Sequence, residues 1–398
     1  MTSGSYEYIS QYPAFSQMYA AAEDTHGGAP TGEHQPLAHD VLLTGMLFFD
    51  IVFTGFPAPP APGQEVWTQG MGSAPGGIAN LAVAAARLGL GTSLAAGFST
   101  DVYGEWMWRT LRDQEHIDLT YSRQFRNWHT PVTVSMAYDG DRAMVTHGHP
   151  TPAPMSDLLS DPPPTRAVIL DLGDPLLREA PWWRVAAERG ALVFADAGWD
   201  PEERWDSAIL TSLEGVHAFT PNAGEAMGYT RTATPREALH VLADLVPLAV
   251  VTDGAKGVIA IDSATGEEAE VPALAVRATD PTGAGDTFAA ALTLGTLREW
   301  PLERRLRFGA LCSALAVQES GGSLAAPGWG DVLDWWEAAK AAAEAGNPDA
   351  RALTGHYSFL GECSSGMPTR AVRRAEATIA HYSDADLGWE QEPGTDSK

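Results

Sequence analysis

The sequence predicts the α/β class, with a mostly parallel central sheet covered by helices and a small second sheet beside it. Three observations carry this. From residue 167 onward, strand-like and helix-like patterns alternate, as they do where helices cover a parallel sheet. Two glycine-led segments each open a small-residue apolar run of helical character, one beginning at Gly76-Gly77-Ile78-Ala79-Asn80 and the other at Thr282-Gly283-Ala284-Gly285-Asp286. Two groups of alternating strands, about residues 51–72 and 121–147, are too polar for a sheet buried on both faces.

Composition bounds the function classes. The chain has 398 residues and is 44% hydrophobic, enough for a large core in one extended α/β domain. A net charge of −26, with lysine only at positions 256, 340 and 398, argues against a nucleic-acid surface, which needs clustered cations. No apolar run reaches the ~18 residues of a membrane span, and no basic-then-apolar leader opens the chain, so no membrane partner is expected and a cytoplasmic location is the default. Two cysteines, Cys312 and Cys363, do not make a disulfide framework.

In chain order, residues 1–39 lack sustained periodicity and read as a flexible extension. A buried strand is expected over 41–45. Asp50 follows inside an apolar stretch, where a charge is costly unless paired; it either caps a turn or binds ligand hydroxyls at a strand end. An exposed strand is expected over 65–68. In the helix closed by Gly89, Asn80 is a poor interior residue and makes sense if it meets a polyhydroxylated ligand with Gly76 and Gly77. Strands over 121–125 and 131–138, a turn at 139–140 and a strand over 143–146 complete the small sheet. Trp128 and His129 read as partly buried aromatics of that sheet rather than substrate contacts.

Further on, strands are expected over 167–172, 191–196, 216–220 and 249–252, with helices over 182–189 and 235–245 between them and a hairpin partner over 258–261. Asp196, Asn222, Thr252 and Asp280 all fall at or just past strand ends, where open α/β sheets bind ligands. Residues 276–279 read as the last strand before the glycine turn. Amides of Gly283, Ala284 and Gly285 at a helix start favour an anion, and Asp286 stands beside them as a proton acceptor. The same residues also fit a merely capped helix. Helices over 302–319 and 331–345 follow, then a polar tail expected to dock weakly, with one more helix over 368–381.

Taken together, Gly76-Gly77-Ile78-Ala79-Asn80 with its Ala-rich run and Asp280-Pro281-Thr282-Gly283-Ala284-Gly285-Asp286-Thr287-Phe288 closely resemble the two signatures of the PfkB, or ribokinase-like, carbohydrate kinase family. Asn222-Ala223-Gly224-Glu225 resembles its Asn-x-x-Glu, and Thr252-Asp253-Gly254-Ala255-Lys256-Gly257 its Thr-x-Gly-x-x-Gly loop. The resemblance implies a three-layer α/β/α fold over 40–340 with a β-sheet lid, flanked by extensions over 1–39 and 341–398. It implies transfer of the γ-phosphoryl of ATP to a hydroxyl of a small sugar. Asp286 would be the base and Gly283, Ala284 and Gly285 the anion hole. Asp50, Gly76, Gly77 and Asn80 would bind the acceptor. Asn222 and Glu225 would organise Mg2+ through water, and Thr252, Gly254 and Gly257 would line the ATP site. Asp280 and Thr282 resemble a monovalent-cation site, usually K+. In some relatives the lid pairs two subunits, which admits a homodimer through the lid here.

The chain departs from the family pattern in two places. Gly198 stands where many sugar kinases have Asn, and the Gly-Gly segment lacks the Lys usual in ribokinases, which disfavours a phosphorylated acceptor. A nucleoside acceptor remains open, as does a sugar- or nucleotide-sensing protein that has lost the chemistry. A dinucleotide oxidoreductase is disfavoured because no strand leads into Gly-x-Gly-x-x-Gly, and a P-loop kinase because no Gly-Lys-Ser/Thr occurs.

Overall fold

Eight strands lie side by side in the main sheet, in the order Glu267–Val271, Val258–Asp262, Leu248–Thr252, Ala218–Phe219, Leu192–Asp196, Thr165–Asp171, His39–Thr44 and Thr92–Ala95. The last six are parallel, and Val258–Asp262 and Glu267–Val271 add antiparallel at one edge. The computed structural model describes residues 39–363, apart from positions 57, 59, 69, 139–140, 154, 160, 173–180, 199–202 and 320, together with the strand His381–Ser383. These residues fall within one compact unit. The expected extension over 1–39 lies outside the described residues except for residue 39, as do the turn at 139–140, residues 364–380 and those after 383.

The period-2 alternation of the strands sorts side chains into two cores. Val41, Leu43, Ile169 and Val250 face the layer of Ile78–Arg87, Ala284–Leu297 and Leu302–Ala316. Leu42, Val168, Leu170, Ala249 and Val251 face Trp183–Glu188, Ala223–Thr230 and Pro235–Ala243. This is the three-layer arrangement. The helix Ala284–Leu297 is apolar on every side and buried from Thr287 to Thr296, so it runs through the protein rather than along its surface. It packs against both Ile78–Arg87 and Leu302–Ala316. The small sheet contains His381–Ser383, Gly70–Gly77, Leu47–Thr54, Val132–Tyr138 and Asp141–His147 in that order.

Four expectations are corrected. Residues 276–279 form no strand: the amides of Thr279 and Asp280 both donate to the carbonyl of Val317, at 2.6 and 3.2 Å, and Val317 caps a helix end, so the segment is held without a ladder. Asp280 therefore sits in a loop and not at a strand end. Residues 65–68 are irregular, with Trp67 83% exposed; the strand begins at Gly70, whose free edge is taken by His381–Ser383. Arg123–Phe125 pairs with Gly97–Ser99 instead of joining the small sheet.

The fourth correction concerns the polar tail. Its first part is docked: Pro348–His356 packs on Trp329–Glu344, and Tyr357, Phe359 and Leu360 enter the core beside Trp300 and Trp335. The sparse apolar residues of this stretch are spaced to insert as a cluster, which overall polarity conceals. Leu360 is fully buried. Leu360→Ala is expected to cost about 2–5 kcal/mol in denaturant unfolding. A loss under about 0.5 kcal/mol would show that the segment contributes little.

Candidate active site

The site forms where the Gly283 turn, the start of the helix Ile78–Arg87 and the carboxyl ends of the parallel strands meet. Gly283 has φ +79°, a left-handed conformation that aims the chain into the helix beginning at Ala284. The Ala284 amide reaches the Pro281 carbonyl at 3.3 Å, and the first full helical bond is Thr287 N–H to Gly283 O at 2.8 Å. Amides of a first helical turn precede the intrahelical ladder, so a helix tip of this kind is suited to an anion. Nothing lies within 4 Å of where a Cβ would stand on Gly285, so the approach to the backbone is open. Asp286 occupies the third helical position beside it.

The opposite wall comes from the glycine pair. Gly77 caps the helix Ile78–Arg87, and a Cβ on Gly76 would collide with the Asp50 carboxylate, which crosses from the neighbouring strand with 8% exposure. Asp50 thus lies inside the strand Leu47–Thr54, neither capping a turn nor at a strand end as expected, and its carboxylate meets Gly76 across the strand pair. Asn80, 8% exposed, has a side-chain oxygen with no hydrogen-bond partner. A buried polar atom left in this state costs free energy, which a ligand hydroxyl would recover. Asn80 Cγ lies 3.7 Å from a Cβ built on Gly283, and its Oδ1 lies 3.3 Å from one built on Gly322. Acceptor-side and phosphoryl-side residues therefore adjoin.

A cavity of about 440 Å³ opens from the glycine turn away from Asn80. Asn222, Thr252, Gly254 and Gly257 line one part, Ala284 and Gly285 the end, and small apolar residues such as Ala310 and Val317 the rest. All the expected nucleotide-site residues except Glu225 and Gly283 border it. A planar base over apolar walls, with phosphates at a helix tip, suits that shape.

Asn222 and Glu225 also have a local role. The Asn222 side chain accepts from the Glu225 amide at 3.0 Å, and the Glu225 carboxylate accepts from the Asn222 amide at 2.9 Å, a reciprocal cap on Ala223–Thr230. Burial pushes the Glu225 carboxyl up to about 7, with the charge of Asp171 adding to it, against the lowering effect of its Asn222 hydrogen bonds. Asp196 is raised well above the carboxylate range by burial, then by Glu225 and Asp171, and also by Asp286. The carboxyls of Asp171, Glu225 and Asp286 thus act electrostatically on that of Asp196, without closing into a three-ligand cluster among the described residues. Their hard oxygen donors fit a divalent cation such as Mg2+.

Asp280 is 1% exposed; Oδ1 accepts from the Thr282 amide at 2.9 Å and Oδ2 from the Gly321 amide at 3.2 Å. Among the described residues no Lys or Arg pairs with it. Three contributors escaped the sequence reading. Asp171 ends its strand in register with Asp196, a parallel the paired endings Leu170-Asp171 and Ala195-Asp196 display. Gly322 forms the far side of the Asn80–Gly283 junction. Arg87, at the other end of the helix Ile78–Arg87, donates to Leu324 O and Ala326 O at 2.9 and 2.7 Å while pairing with Glu115. Gly198, at the departure from the usual Asn, donates to Asp171 at 3.3 Å.

Comparison with known proteins agrees with this architecture. The model of the pfkB family carbohydrate kinases matches residues 58–328, and the chain belongs to that family, phosphotransferases with an alcohol group as acceptor. It is 26% identical to the ribokinase of Lactococcus lactis over 71% of this chain and 91% of that protein. It is 26% identical to a nucleoside kinase of Methanothermobacter thermautotrophicus, over 74% and 94% of the two chains. The structure of Arabidopsis thaliana ribokinase complexed with ribose and ATP superposes with a TM-score of 0.62 at 23% identity, covering 75% of this chain and 98% of that one. Among the described residues no helix is long and apolar enough to cross a membrane.

The raised Glu225 carboxyl has a stability consequence. Between its ordinary value of 4.5 and about 7, the folded chain holds a proton that the unfolded chain has released, so this group lowers stability as pH rises through that window. Glu225→Gln retains an acceptor for the Asn222 amide without the charge. In melts without nucleotide or Mg2+, its Tm relative to the parent is expected to be higher at pH 8 than at pH 4.5. A difference that does not change with pH would contradict the assignment.

Proposed function

We propose that the chain transfers the γ-phosphoryl group of ATP to a hydroxyl of a small neutral carbohydrate. The adjoining of Asn80 with Gly283 carries this reading, because it sets an acceptor-binding side chain beside an anion-binding turn. In the proposed reaction Asp286 takes the acceptor hydroxyl's proton as its oxygen bonds to the γ-phosphorus, and the bond to the bridging oxygen of ADP breaks. Amides of Gly283, Ala284 and Gly285 would meet the charge on the transferring group, preorganised and so without reorganisation cost. Mg2+, when bound through water near Asn222 and Glu225, would neutralise phosphate charge. The buried carboxylate of Asp280, with Thr282, suits a K+ ion that offsets its charge.

A neutral acceptor follows from Arg87, the single basic residue of the 75–89 segment. Its guanidinium is committed to Glu115, Leu324 O and Ala326 O, leaving no cation on that wall for a second phosphate. Asp50 adds an acceptor of hydroxyl hydrogen bonds and would repel a phosphate. Relatives include a nucleoside kinase, so a nucleoside is the second reading for the same pocket. A homodimer through the small sheet is also proposed, since Met71 and Val145, 45% and 61% exposed, fall on the same face of it by strand register.

Two experiments test the reading. Asp286→Asn is expected to lower kcat by about 10²- to 10⁴-fold while ATP binding persists; unchanged turnover removes Asp286 as the base. A panel of pentoses, hexoses, ketoacid sugars, nucleosides and sugar phosphates, assayed with Mg-ATP with and without K+, should show turnover of a neutral acceptor. Activity confined to a sugar phosphate would overturn the neutral-acceptor assignment.

A further inference from the structure

Away from this site, three histidines meet at the open end of the hairpin formed by Val132–Tyr138 and Asp141–His147. One ring nitrogen from each of His129, His147 and His149 lies within 4.8 Å of the others. The rings of His129 and His147 stack with centroids 5.1 Å apart, and His149 meets both edge-on at 4.9 and 5.4 Å. His129 Nδ1 lies 3.1 Å from the Thr130 carbonyl. A carbonyl only accepts, so Nδ1 carries the hydrogen and the lone pair is on Nε2, the tautomer a second-shell hydrogen bond imposes on metal-binding imidazoles.

The backbone around the cluster is fixed from several directions. Thr130 donates through N–H and hydroxyl to Asp101 at 2.7 and 2.6 Å, and Asp101 caps the helix Val102–Arg109. Trp128 donates through its indole to the His149 carbonyl at 3.2 Å, and its own carbonyl accepts from Ser99 at 2.5 Å. His147 is held in register opposite Val132. The three ligands thus come from both sides of the hairpin, while two of the rings stay exposed and able to rotate.

We propose that His129, His147 and His149 form a three-imidazole site for a transition-metal dication of the Zn2+ class. Tetrahedral coordination with Zn–N of about 2.0–2.1 Å needs ring nitrogens about 3.3 Å apart, which small side-chain rotations within the cluster reach. Imidazole nitrogens select Zn2+, Cu2+ or Ni2+ rather than Mg2+, so this site differs in chemistry from the carboxylates at the strand ends. The fourth position faces solvent and takes water. A bound ion ties the segment entering Val132–Tyr138 to the one leaving Asp141–His147, and so clamps the base of the small sheet. The site does not depend on the phosphotransfer reading.

Zn2+ titration of the full chain against a chromophoric chelator, with Co2+ absorption as a probe of geometry, tests the site. One tight site per chain with a tetrahedral Co2+ spectrum is expected. The double variant His147→Gln/His149→Gln should weaken Zn2+ binding by about 100-fold or more, whereas His240→Gln, an exposed histidine on Pro235–Ala243, should not. Because His147 and His149 are exposed, the metal-free melts of parent and double variant should coincide, and added Zn2+ should raise the Tm of the parent alone. Equal Zn2+ affinity in parent and double variant, or an octahedral Co2+ spectrum in the parent, would overturn the proposal.

Discussion

The helix Ala284–Leu297 is capped by a left-handed glycine and opens on two small residues, Ala284 and Gly285, and the proposed chemistry depends on that tip having no capping side chain. A helix needs partners for its first amides, and these are ordinarily a capping side chain or water. Here the N-cap is Gly283, which has no side chain to offer. The helix behind it is buried on all sides, so its tip cannot shift without disturbing both neighbouring helices. Local backbone chemistry and global packing together hold a set of donors in one place.

Everything else is arranged around that tip. The Ile78–Arg87 helix packs against Ala284–Leu297 and carries Asn80 to within contact of Gly283, while Arg87 ties the far end of the same helix to the Gly322–Ala325 turn. Strand ends supply Asp171 and Asp196 from the other side and the first turn of Ala223–Thr230 supplies Glu225, and burial holds Asp196 and Glu225 above their ordinary range. In the proposed reaction a cation bound there would favour the charged carboxyls, so metal and polyphosphate would reinforce each other's binding. A chain with net charge −26 attracts ATP poorly at long range. In the proposed reaction its recognition of phosphate would therefore be local, through amides and a bound cation.

Much of this was legible in the residues because the decisive features are local. Gly-x-Gly before Asp286, the Gly76-Gly77 pair and the Asn-x-x-Glu spacing of Asn222 and Glu225 each lie within a few residues of chain. The parallel core was legible because strand alternation and intervening helices repeat. What escaped depended on distant partners. Residues 276–279 carry strand-like composition, yet their amides go to the end of the helix Leu302–Ala316, which no local pattern announces. Residues 357–360 read as part of a polar tail because their few apolar side chains matter only once Trp300 and Trp335 are nearby. The histidine cluster joins His129 to His147 and His149 across a hairpin, and only its register brings them together.

The position of the terminal phosphate decides whether the glycine turn is the phosphoryl site. A crystal structure of the chain with a non-hydrolysable ATP analogue and Mg2+ measures this directly. The base is predicted to lie in the cavity beside Thr252 and Gly257, with the terminal phosphate within hydrogen-bond reach of the Gly285 amide and facing Asp286. A terminal phosphate bound elsewhere, with the 283–286 turn contacting only solvent, would contradict it.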